Sequence, residues 1–407
     1  IADSTEAFRV LNVPSINNKG TVAFTATPYS GGHGVYTGSG GAITTIADST
    51  GEFRLFFQPS INDKDIVASI AVLDNGYPRV VLKGSGGPLT RIAELTPPTI
   101  VDLNTLSINN SGSVAYITHD DLSYNDATLF IGDGENTTFI TDTCGPFQAI
   151  GYVSINDSGV VAFSALYDYW SGYGIYKSDG GPLITVADTS DIFSNVSSSV
   201  MNNEGVVSFF GLTNSGVRGY FNGDGVAIDK VVDDSGEISS FYFGHSINDN
   251  NDIAFLASLD SGGTGLFSAN NTELNSVIMF GDALNGSELA GIELGFSPMN
   301  NAGQIAFLGY LSDGTHGIYV ATPVPPNAPP ICDSATPSIL SLWPADFNFV
   351  KVQLLGVTDP DDDPLKLTII GIYQDEPVND RANGNFMPDA MGVGLSLIHI
   401  SEPTRLC

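Results

Sequence analysis

One stretch of sequence decides the fold: Ser15-Ile16-Asn17-Asn18-Lys19-Gly20-Thr21-Val22-Ala23-Phe24, which recurs in altered form along the chain. The first Asn of the successive copies is Asn17, Asn62, Asn109, Asn156, Asn202, Asn248 and Asn300. The spacings are 45, 47, 47, 46, 46 and 52 residues, which makes seven units of about 46 residues. Self-similarity at such a period is typical of repeat architectures.

Each unit contains four short runs that are rich in β-branched and aromatic residues. In the first unit, strand a ends at Ser15-Ile16, strand b is Val22–Ala26, strand c is Gly34–Tyr36 and strand d is Ile43–Asp48. Four antiparallel strands in each of seven units predict an all-β, seven-bladed β-propeller. A β-solenoid is the main alternative, although its coils are usually shorter.

The turn between strands a and b has a conformational signature. Its last residue is Gly in five units, and Gly accepts the left-handed conformation that a G1 bulge requires. These glycines are Gly20, Gly112, Gly159, Gly205 and Gly303. The other two units carry Asp65 and Asn251, and both residue types tolerate that conformation at small cost.

The two ends of the chain look like cuts. Ile1–Thr5 repeats Ile46–Thr50, so we expect the chain to start at the end of a strand d. The last unit has strands a, b and c only, so this N-terminal stub can pair with strand c of unit seven and close the ring. The alternative is that further units lie upstream.

Composition excludes several functions. The 407 residues include 14 Lys+Arg and 45 Asp+Glu, a net charge of −31, which leaves little basic surface for nucleic acid. An aromatic content of 10% disfavours disorder. No apolar run is long enough for a membrane span. The three cysteines form no metal-binding or disulfide pattern.

The phrase Asn-x-x-Gly-x-Val-Ala-Phe at 17–24 and 156–163, with Gln-Ile-Ala-Phe at 304–307, resembles bacterial tandem-repeat proteins named for an NxxGxxxAF motif. The resemblance covers about residues 1–322. It implies a propeller-like exported protein of unestablished activity, extracellular or at the cell surface, and often with a C-terminal sorting anchor.

The C-terminal part is expected to contain three segments. Residues 323–330 are a Pro-rich extended linker. Residues 331–394 resemble a truncated bacterial Ig-like β-sandwich module. Within the tail 395–407, the stretch Leu395–Arg405 resembles a translated sequencing adapter, so we exclude this tail from the predicted fold.

Each predicted strand d ends in an acid, and these acids should form a ring near the crossovers to the next unit. The ring would bind a divalent cation or a cationic ligand. The alternative is that each acid accepts hydrogen bonds within its own turn. The seven residues are Asp3, Asp48, Glu94, Asp142, Asp188, Asp234 and Asp282.

The b–c loops vary most between units, and variable loops on a rigid scaffold often carry binding sites. One such loop holds the aromatic cluster Tyr167, Tyr169, Trp170 and Tyr173, which suits a glycan or a protein ligand. His33 and His316 precede strand c in two units that neighbour each other in a closed ring, and are a candidate metal pair. Rim packing and unrelated loop histidines are the alternatives.

A dense carboxylate turn suggests a Ca²⁺ site, because oxygen ligands suit this ion. Its residues are Asp359, Asp361, Asp362 and Asp363, with Asp375 and Glu376 completing the shell. A solvated turn bounded by proline is the alternative.

These patterns favour a non-enzymatic extracellular or cell-surface binding protein. One alternative is a propeller hydrolase or lyase that acts on glycans or lactones with a metal in the central funnel. Another is a structural surface-layer component.

Overall fold

The computed structural model describes residues 1–5, 7–75, 78–120, 126–168, 172–323, 328–339, 350–366, 368, 390–391 and 398–400. The described residues form β-strands and no helix, so that part of the chain contains no helix that could cross a membrane. The chain divides into two compact units, Ile1–Pro323 and Val324–Cys407.

The first unit consists of seven antiparallel sheets, one for each repeat. Blade 1 contains β2 (Phe8–Leu11), β3 (Ser15–Ile16), β4 (Val22–Pro28), β5 (Gly34–Gly38) and β6 (Thr44–Asp48). Blade 2 contains β7 (Phe53–Ile61), β8 (Val67–Leu73), β9 (Arg79–Gly84) and β10 (Thr90–Leu95). Blade 3 contains β11 (Ile100–Ile108), β12 (Val114–His119), β13 (Ala127–Gly132) and β14 (Thr137–Asp142). Blade 4 contains β15 (Ala149–Ile155), β16 (Val161–Asp168), β17 (Gly172–Ser178) and β18 (Ile184–Asp188).

The remaining three blades follow in chain order. Blade 5 contains β19 (Phe193–Met201), β20 (Val207–Thr213), β21 (Arg218–Gly223) and β22 (Ile228–Asp233). Blade 6 contains β23 (Ile238–Ile247), β24 (Ile253–Leu259), β25 (Thr264–Ala269) and β26 (Leu274–Met279). Blade 7 contains β27 (Ala283–Leu284), β28 (Ser287–Glu293), β29 (Ile305–Leu311) and β30 (His316–Ala321), and it is completed by β1 (Ala2–Asp3). The predicted seven-bladed propeller is therefore confirmed.

The hydrophobic core lies between successive blades. Phe24, in the Val-Ala-Phe run of blade 1, is fully buried, and Phe163, Phe209, Phe255 and Phe307 occupy the same place in four other blades. One core cluster joins Phe8 and Phe24 of blade 1 to Leu308 and Ile318 of blade 7. Burying these large side chains stabilises each blade only through its neighbours.

The ring closes through the N-terminal stub, as the sequence predicts. Ala2 lies opposite Ile318 and Asp3 opposite Gly317, so β1 is the outer strand of blade 7. This pairing covers an edge of β30 that would otherwise be exposed.

The first Asn of each repeat joins neighbouring blades. The Asn17 side-chain oxygen accepts the main-chain N–H of Lys19 and Thr21, at 3.1 and 2.9 Å, and closes its own turn. Its amide nitrogen donates to the carbonyl oxygen of Asn62 in the next blade, at 2.9 Å. The same amide-to-carbonyl link joins Asn62 to Asn109, Asn109 to Asn156, Asn202 to Asn248, Asn248 to Asn300 and Asn300 to Asn17. Only Asn supplies both the donor and the acceptor at this length.

The a–b turns have the predicted left-handed residue. The five turn glycines have φ between 73° and 87°. Asp65 and Asn251 take the same place with φ of 59° and 68°, so the two exceptions adopt the same geometry.

The propeller has two faces, set by the strand order. The a–b and c–d turns lie on one face, and the b–c loops and d–a crossovers lie on the other, which we call the loop face. Strand a starts at the loop face and carries a register shift before it reaches the a–b turn, as between Phe57 and Ser60 or between Ser197 and Val200.

The second unit is described only in part. Its strands are β31 (Thr336–Pro337), β32 (Val350–Val352), β33 (Leu354–Leu355), β34 (Ala390–Met391) and β35 (Ile398–Ile400). β31 pairs with β33, and β35 pairs with β32 and β34. The Ig-like topology of this unit stays a prediction, and so does the origin of the tail.

Candidate functional site

A second ring of polar residues follows the first Asn of each repeat. In chain order its members are Asn18, Asp63, Asn110, Asp157, Asn203, Asp249 and Asn301. The main-chain N–H of each member donates to the side-chain oxygen of the next, and all seven bonds are 2.7–3.0 Å long. We call this closed circuit the Asn/Asp ring.

Amides and carboxylates alternate around the Asn/Asp ring. Asp63 accepts bonds from the side-chain amides of both Asn18 and Asn110, at 3.1 and 2.9 Å. The alternation keeps like charges apart and gives each free carboxylate oxygen a donor. It fails once, between Asn301 and Asn18, because the number of blades is odd. The carboxylates are thus engaged in closing the ring.

A polar cavity of about 130 Å³ lies at the Asn/Asp ring on the propeller axis. Ser60 and Ser107 line it deeper in the channel, and their hydroxyls accept the main-chain N–H of Ile108 and Ile155 in the next blade, each at 3.2 Å. Toward the loop face, the rings of Tyr152 and Phe296 lie 6.4 Å apart across the channel from opposite blades. The cavity is therefore small and lined by groups that join blades.

The loop face carries most of the exposed aromatic side chains. Those exposed among the described residues of the propeller are Tyr29, Phe139, Tyr173, Tyr242, Phe280 and Tyr310. All but Phe139, which lies on the outer strand β14, belong to b–c loops, d–a crossovers or strand segments next to them. Exposed aromatic groups gathered on one face indicate a contact surface.

A connected group on this face lies where blade 7 meets blade 1. The Tyr29 hydroxyl donates to the carbonyl oxygen of Ser4 at 2.9 Å. The main-chain N–H of His316 donates to the Ser4 hydroxyl at 3.0 Å. The His316 ring stacks on Tyr310 at 5.9 Å, and Tyr310 donates to Glu293 at 3.1 Å. We call Tyr29, Ser4, His316, Tyr310 and Glu293 the seam patch.

The seam patch combines aromatic surface with hydrogen-bonding groups. Tyr29 is 60% exposed and Tyr310 is 37% exposed, so both rings are available for contact. Partial burial, together with the Glu293 carboxylate, raises the pKa of Tyr310 to about 12, so its hydroxyl stays a donor at neutral pH. Such a surface can stack on an apolar ring face and also bond a hydroxyl group.

The two predicted histidines occupy equivalent places, and each ring contacts a different aromatic side chain. Ser49 donates to the carbonyl oxygen of His33, and Ser4 donates in the same way to that of His316. The rings diverge in their contacts: His33 accepts the N–H of Phe56 at 3.2 Å and stacks on that ring, whereas His316 stacks on Tyr310. Burial lowers the pKa of His33. The described residues contain no group of three or more His, Cys, Asp or Glu that could hold a metal.

The predicted aromatic cluster is described only in part. The Tyr167 hydroxyl lies 3.1 Å from the Thr189 hydroxyl, and its ring packs against the core between blades 3 and 4. Tyr173 is 37% exposed. Tyr169 and Trp170 lie outside the described residues.

Most predicted strand-end acids accept hydrogen bonds in their own turns. Asp3, Asp48 and Asp188 each accept the main-chain N–H and the hydroxyl of the residue two positions on. The bonds from Thr50 lower the pKa of Asp48. Asp142 accepts the N–H of Cys144 and Gly145, and Glu94 pairs with Arg91. This is the alternative expected for these residues.

Two members of the predicted acid ring need correction. Strand d of blade 5 ends at Asp233, which lies opposite Gly219, so Asp234 lies one residue beyond that position. Strand d of blade 6 ends at Met279, and Asp282 lies three residues further on. Asp234 bonds Arg218 and Asp282 accepts the N–H of Met279. Blade 5 has two adjacent acids at this point and the sixth repeat is longer, so the repeat spacing does not locate these strand ends.

The carboxylate turn of the second unit is also internally bonded. Asp359 accepts the N–H of Asp361 at 2.9 Å and that of Asp363 at 3.4 Å. Asp361 accepts the N–H of Ala328 at 2.6 Å. Asp375 and Glu376 lie outside the described residues, so the Ca²⁺ site stays a prediction.

Sequence reasoning missed two arrangements. The Asn/Asp ring has a readable signal, the alternation of Asn and Asp at the residue after each first Asn. The second is a pair in blade 3, where His119 Nε2 lies 3.1 Å from an Asp102 carboxylate oxygen and both side chains are largely buried. No local spacing indicates this pair, because its two residues meet only through the pairing of β11 with β12.

Comparison with known proteins gives a partial match in sequence and a wider match in fold. None of the curated proteins compared with the chain matches it. The acylaminoacyl peptidase of Pyrococcus horikoshii is 12% identical, with a TM-score of 0.51 over 78% of this chain and 51% of the peptidase, so the chain spans about half its length. An oligogalacturonate lyase in complex with manganese is 12% identical, with a TM-score of 0.52 over 80% of this chain and 96% of the lyase.

A third solved structure, an oligogalacturonate lyase from Vibrio parahaemolyticus, is 11% identical, with a TM-score of 0.50 over 79% of this chain and 95% of the lyase. At these identities the likeness concerns the fold alone. In sequence, residues 232–321, which form blades 6 and 7 and the end of blade 5, match a Family of unknown function (DUF7453).

Proposed function

We propose that this protein is a non-enzymatic binding protein, extracellular or at the cell surface, whose ligand is an uncharged glycan held by the loop face. The observation that carries the proposal is the seam patch. There Tyr29 and Tyr310 expose aromatic rings beside a carboxylate, and hydrogen bonds fix their positions.

The rest of the loop face suits an extended ligand. Tyr173, Tyr242 and Phe280 add exposed rings on blade 4, on blade 6 and at the crossover that follows blade 6. The opposite face is occupied by the Asn/Asp ring, whose polar groups bond one another. Binding energy from stacking is therefore available mainly on the loop face.

Charge narrows the ligand class. Residues 1–322 contain 34 acidic and 10 basic residues, a net charge of −24. A surface of that sign repels polyanions and disfavours their encounter. We therefore expect neutral sugars to bind better than uronate or sulfated chains, even though the fold is shared with oligogalacturonate lyases.

A glycan array carrying neutral, amino and uronate sugars tests this proposal. Binding to neutral sugars is the expected result. Blank binding on every sugar, together with capture of a defined protein partner, would overturn the glycan assignment and favour a protein ligand.

The seam patch also contains His316, which the sequence indicates as a candidate site residue because it precedes strand c. Its ring lies against Tyr310 and its main chain bonds Ser4, so its place supports the aromatic surface. On this reading the histidine positions the tyrosine and holds no metal.

The pair His119–Asp102 favours one alternative, a hydrolase or lyase acting on glycans or lactones. A carboxylate beside an imidazole is an arrangement used in general acid–base catalysis. Assays on a lactone and glycan panel, with and without Ca²⁺ or Mn²⁺, test it. Turnover abolished by His119→Asn would replace the binding proposal with this one.

A further inference from the structure

A further layer of residues crosses the axial channel between Ser60 and Ser107 and the loop face. It is formed by the fourth residue before the first Asn of each repeat, and we call it the floor layer. All seven members are uncharged and partly buried. In chain order they are Val13, Gln58, Thr105, Tyr152, Ser198, Gly244 and Phe296.

Three members of the floor layer have a backbone conformation that their residue types avoid. The φ angle is 40° at Gln58, 50° at Tyr152 and 58° at Ser198. Every other non-glycine residue with positive φ in the described part of the chain is Asp or Asn, which adopt this conformation at small cost. Gly244 takes the same place in blade 6 with a φ of 95°, so Gly satisfies the geometry without strain. Larger side chains held where Gly fits more easily indicate a role other than folding.

The floor layer closes the channel to a sugar ring. The ring centroids of Tyr152 and Phe296 are 6.4 Å apart. A sugar between them would need about 7–8 Å, because carbon atoms pack at about 3.5–4 Å from each ring face. The cavity next to Gln58 and Phe296 holds about 10 Å³, which is room for about one water molecule. A glycan that enters from the loop face therefore stops at this layer.

Uncharged hydrogen-bonding groups accompany the two rings. Gln58 contributes a carboxamide, and Thr105 and Ser198 contribute hydroxyls. The Thr105 hydroxyl oxygen is buried and has no hydrogen-bond partner among the described residues. The Ser198 hydroxyl lies 3.4 Å from Nδ1 of His245, and burial lowers the pKa of that ring to about 4, so it is neutral at pH 7. Aromatic faces beside neutral donors and acceptors suit a sugar ring with its hydroxyls.

We propose that the floor layer is the subsite for the terminal sugar of the glycan, which binds end-on while the rest of the glycan crosses the loop face toward the seam patch. The inference rests on the proposed function and adds the glycan end as the recognised feature. The terminal ring lies on Tyr152 and Phe296, and Gln58 and Ser198 bond its hydroxyls. Because the channel is closed below, the glycan continues only outward over the loop face.

End-on binding counts glycan ends rather than sugars. The probe is the neutral glycan bound most tightly on the array, offered as a short oligosaccharide and as a long polymer of the same sugar. At equal sugar mass, we expect the amount of protein bound to follow the number of glycan ends, so that the oligosaccharide binds more. Partial internal cleavage of the polymer creates ends at constant mass and should raise binding in proportion.

Two variants test the side chains of the floor layer. Gln58→Gly and Ser198→Gly remove a hydrogen-bonding group and relieve a strained backbone in the same step. Each should lower the affinity for the oligosaccharide by about fivefold or more. The thermal midpoint should stay the same or rise. Asn251→Gly is the matched control, because it also replaces a residue with positive φ but lies in an a–b turn on the opposite face, and it should keep full affinity.

Binding that follows sugar mass rather than glycan ends would overturn the subsite, and so would full affinity in both floor-layer variants. Glycan binding that depends on Tyr29 and Tyr310 would persist in either case, so the proposed function would stand. A protein that binds no neutral glycan on the array would instead overturn the proposed function, and the subsite with it.

Discussion

The side-chain amide of Asn300 donates to the carbonyl oxygen of Asn17 at 3.0 Å, although 283 residues separate them. This bond joins blade 7 to blade 1. It is the same amide-to-carbonyl link that joins other pairs of neighbouring blades. Asn301 repeats the closure in the second ring by donating its N–H to Asn18 at 2.8 Å. The ring therefore closes at its centre through asparagine and at its rim through β1.

Asn300→Ala should destabilise the propeller by about 2–3 kcal/mol. The change removes the bond to Asn17 and leaves buried main-chain groups without their partners. Chemical denaturation checks this. Asn271→Ala, on the exposed c–d turn of blade 6, is the matched control and should change stability by less than about 0.5 kcal/mol. Equal effects of the two changes would contradict the role of Asn300.

Asn110→Asp should destabilise the chain at low salt by about 1–2 kcal/mol, because it places three carboxylates in succession around the Asn/Asp ring. The deficit should shrink in about 1 M NaCl, since salt screens exposed like charges. Thermal midpoints of the Asn110→Asp variant and the unchanged chain, compared at low and high salt, measure this effect. Asn271→Asp is the control. A deficit that salt leaves unchanged would speak against charge alternation as the reason for the pattern.

Gly159→Ala should cost about 1 kcal/mol through the backbone alone. Gly159 has a φ of 81°, and a Cβ there would meet no atom within 4 Å, so the strain of the left-handed conformation is isolated from any clash. Gly159→Asn should cost less, since Asn251 takes this place in blade 6. Gly87→Ala, equally open but without the positive φ, should be close to neutral. If it costs as much as Gly159→Ala, the turn argument fails.

Stability should fall as the pH falls from about 6.5 toward 4 because of His245. Burial lowers the pKa of this ring to about 4, against 6.5 in the unfolded chain. The unfolded state therefore binds a proton in this window while the folded state stays neutral, so stability rises with pH. The contribution is roughly 1–3 kcal/mol.

His245→Phe should make the pH dependence in that window shallower, because the ring contact with Tyr220 at 4.5 Å is kept while titration is removed. Denaturation at pH 4.5 and pH 7 measures the difference for both chains. An unchanged difference would show that other groups account for the acid sensitivity.

The repeat geometry follows from sequence because it rests on local chemistry. Asp65 and Asn251 are two of the few residue types that replace a left-handed Gly, so even the exceptions among the turns could be predicted. The places of Asp234 and Asp282 do not follow from the repeat, because strand d ends one residue earlier in blade 5 and three residues earlier in blade 6.

The seam patch could not be predicted from spacing. Tyr29 and Tyr310 come from opposite ends of the propeller chain, and Ser4 and His316 link them only after the ring closes. The sequence indicates His316 by its place before strand c, but the stacking of its ring on Tyr310 has no counterpart in the spacing. The identity of such contacts is set by tertiary geometry, which the repeat period does not encode.

The most direct test of the binding proposal is the affinity of the double variant Tyr29→Ala/Tyr310→Ala for a neutral glycan selected on the array, measured by calorimetric titration. We expect a loss of at least about tenfold, which corresponds to about 1.4 kcal/mol. Phe139→Ala, which removes an aromatic side chain 52% exposed on the outer strand of blade 3, should keep wild-type affinity. Wild-type affinity in a folded double variant would contradict the assignment of the ligand to the seam patch.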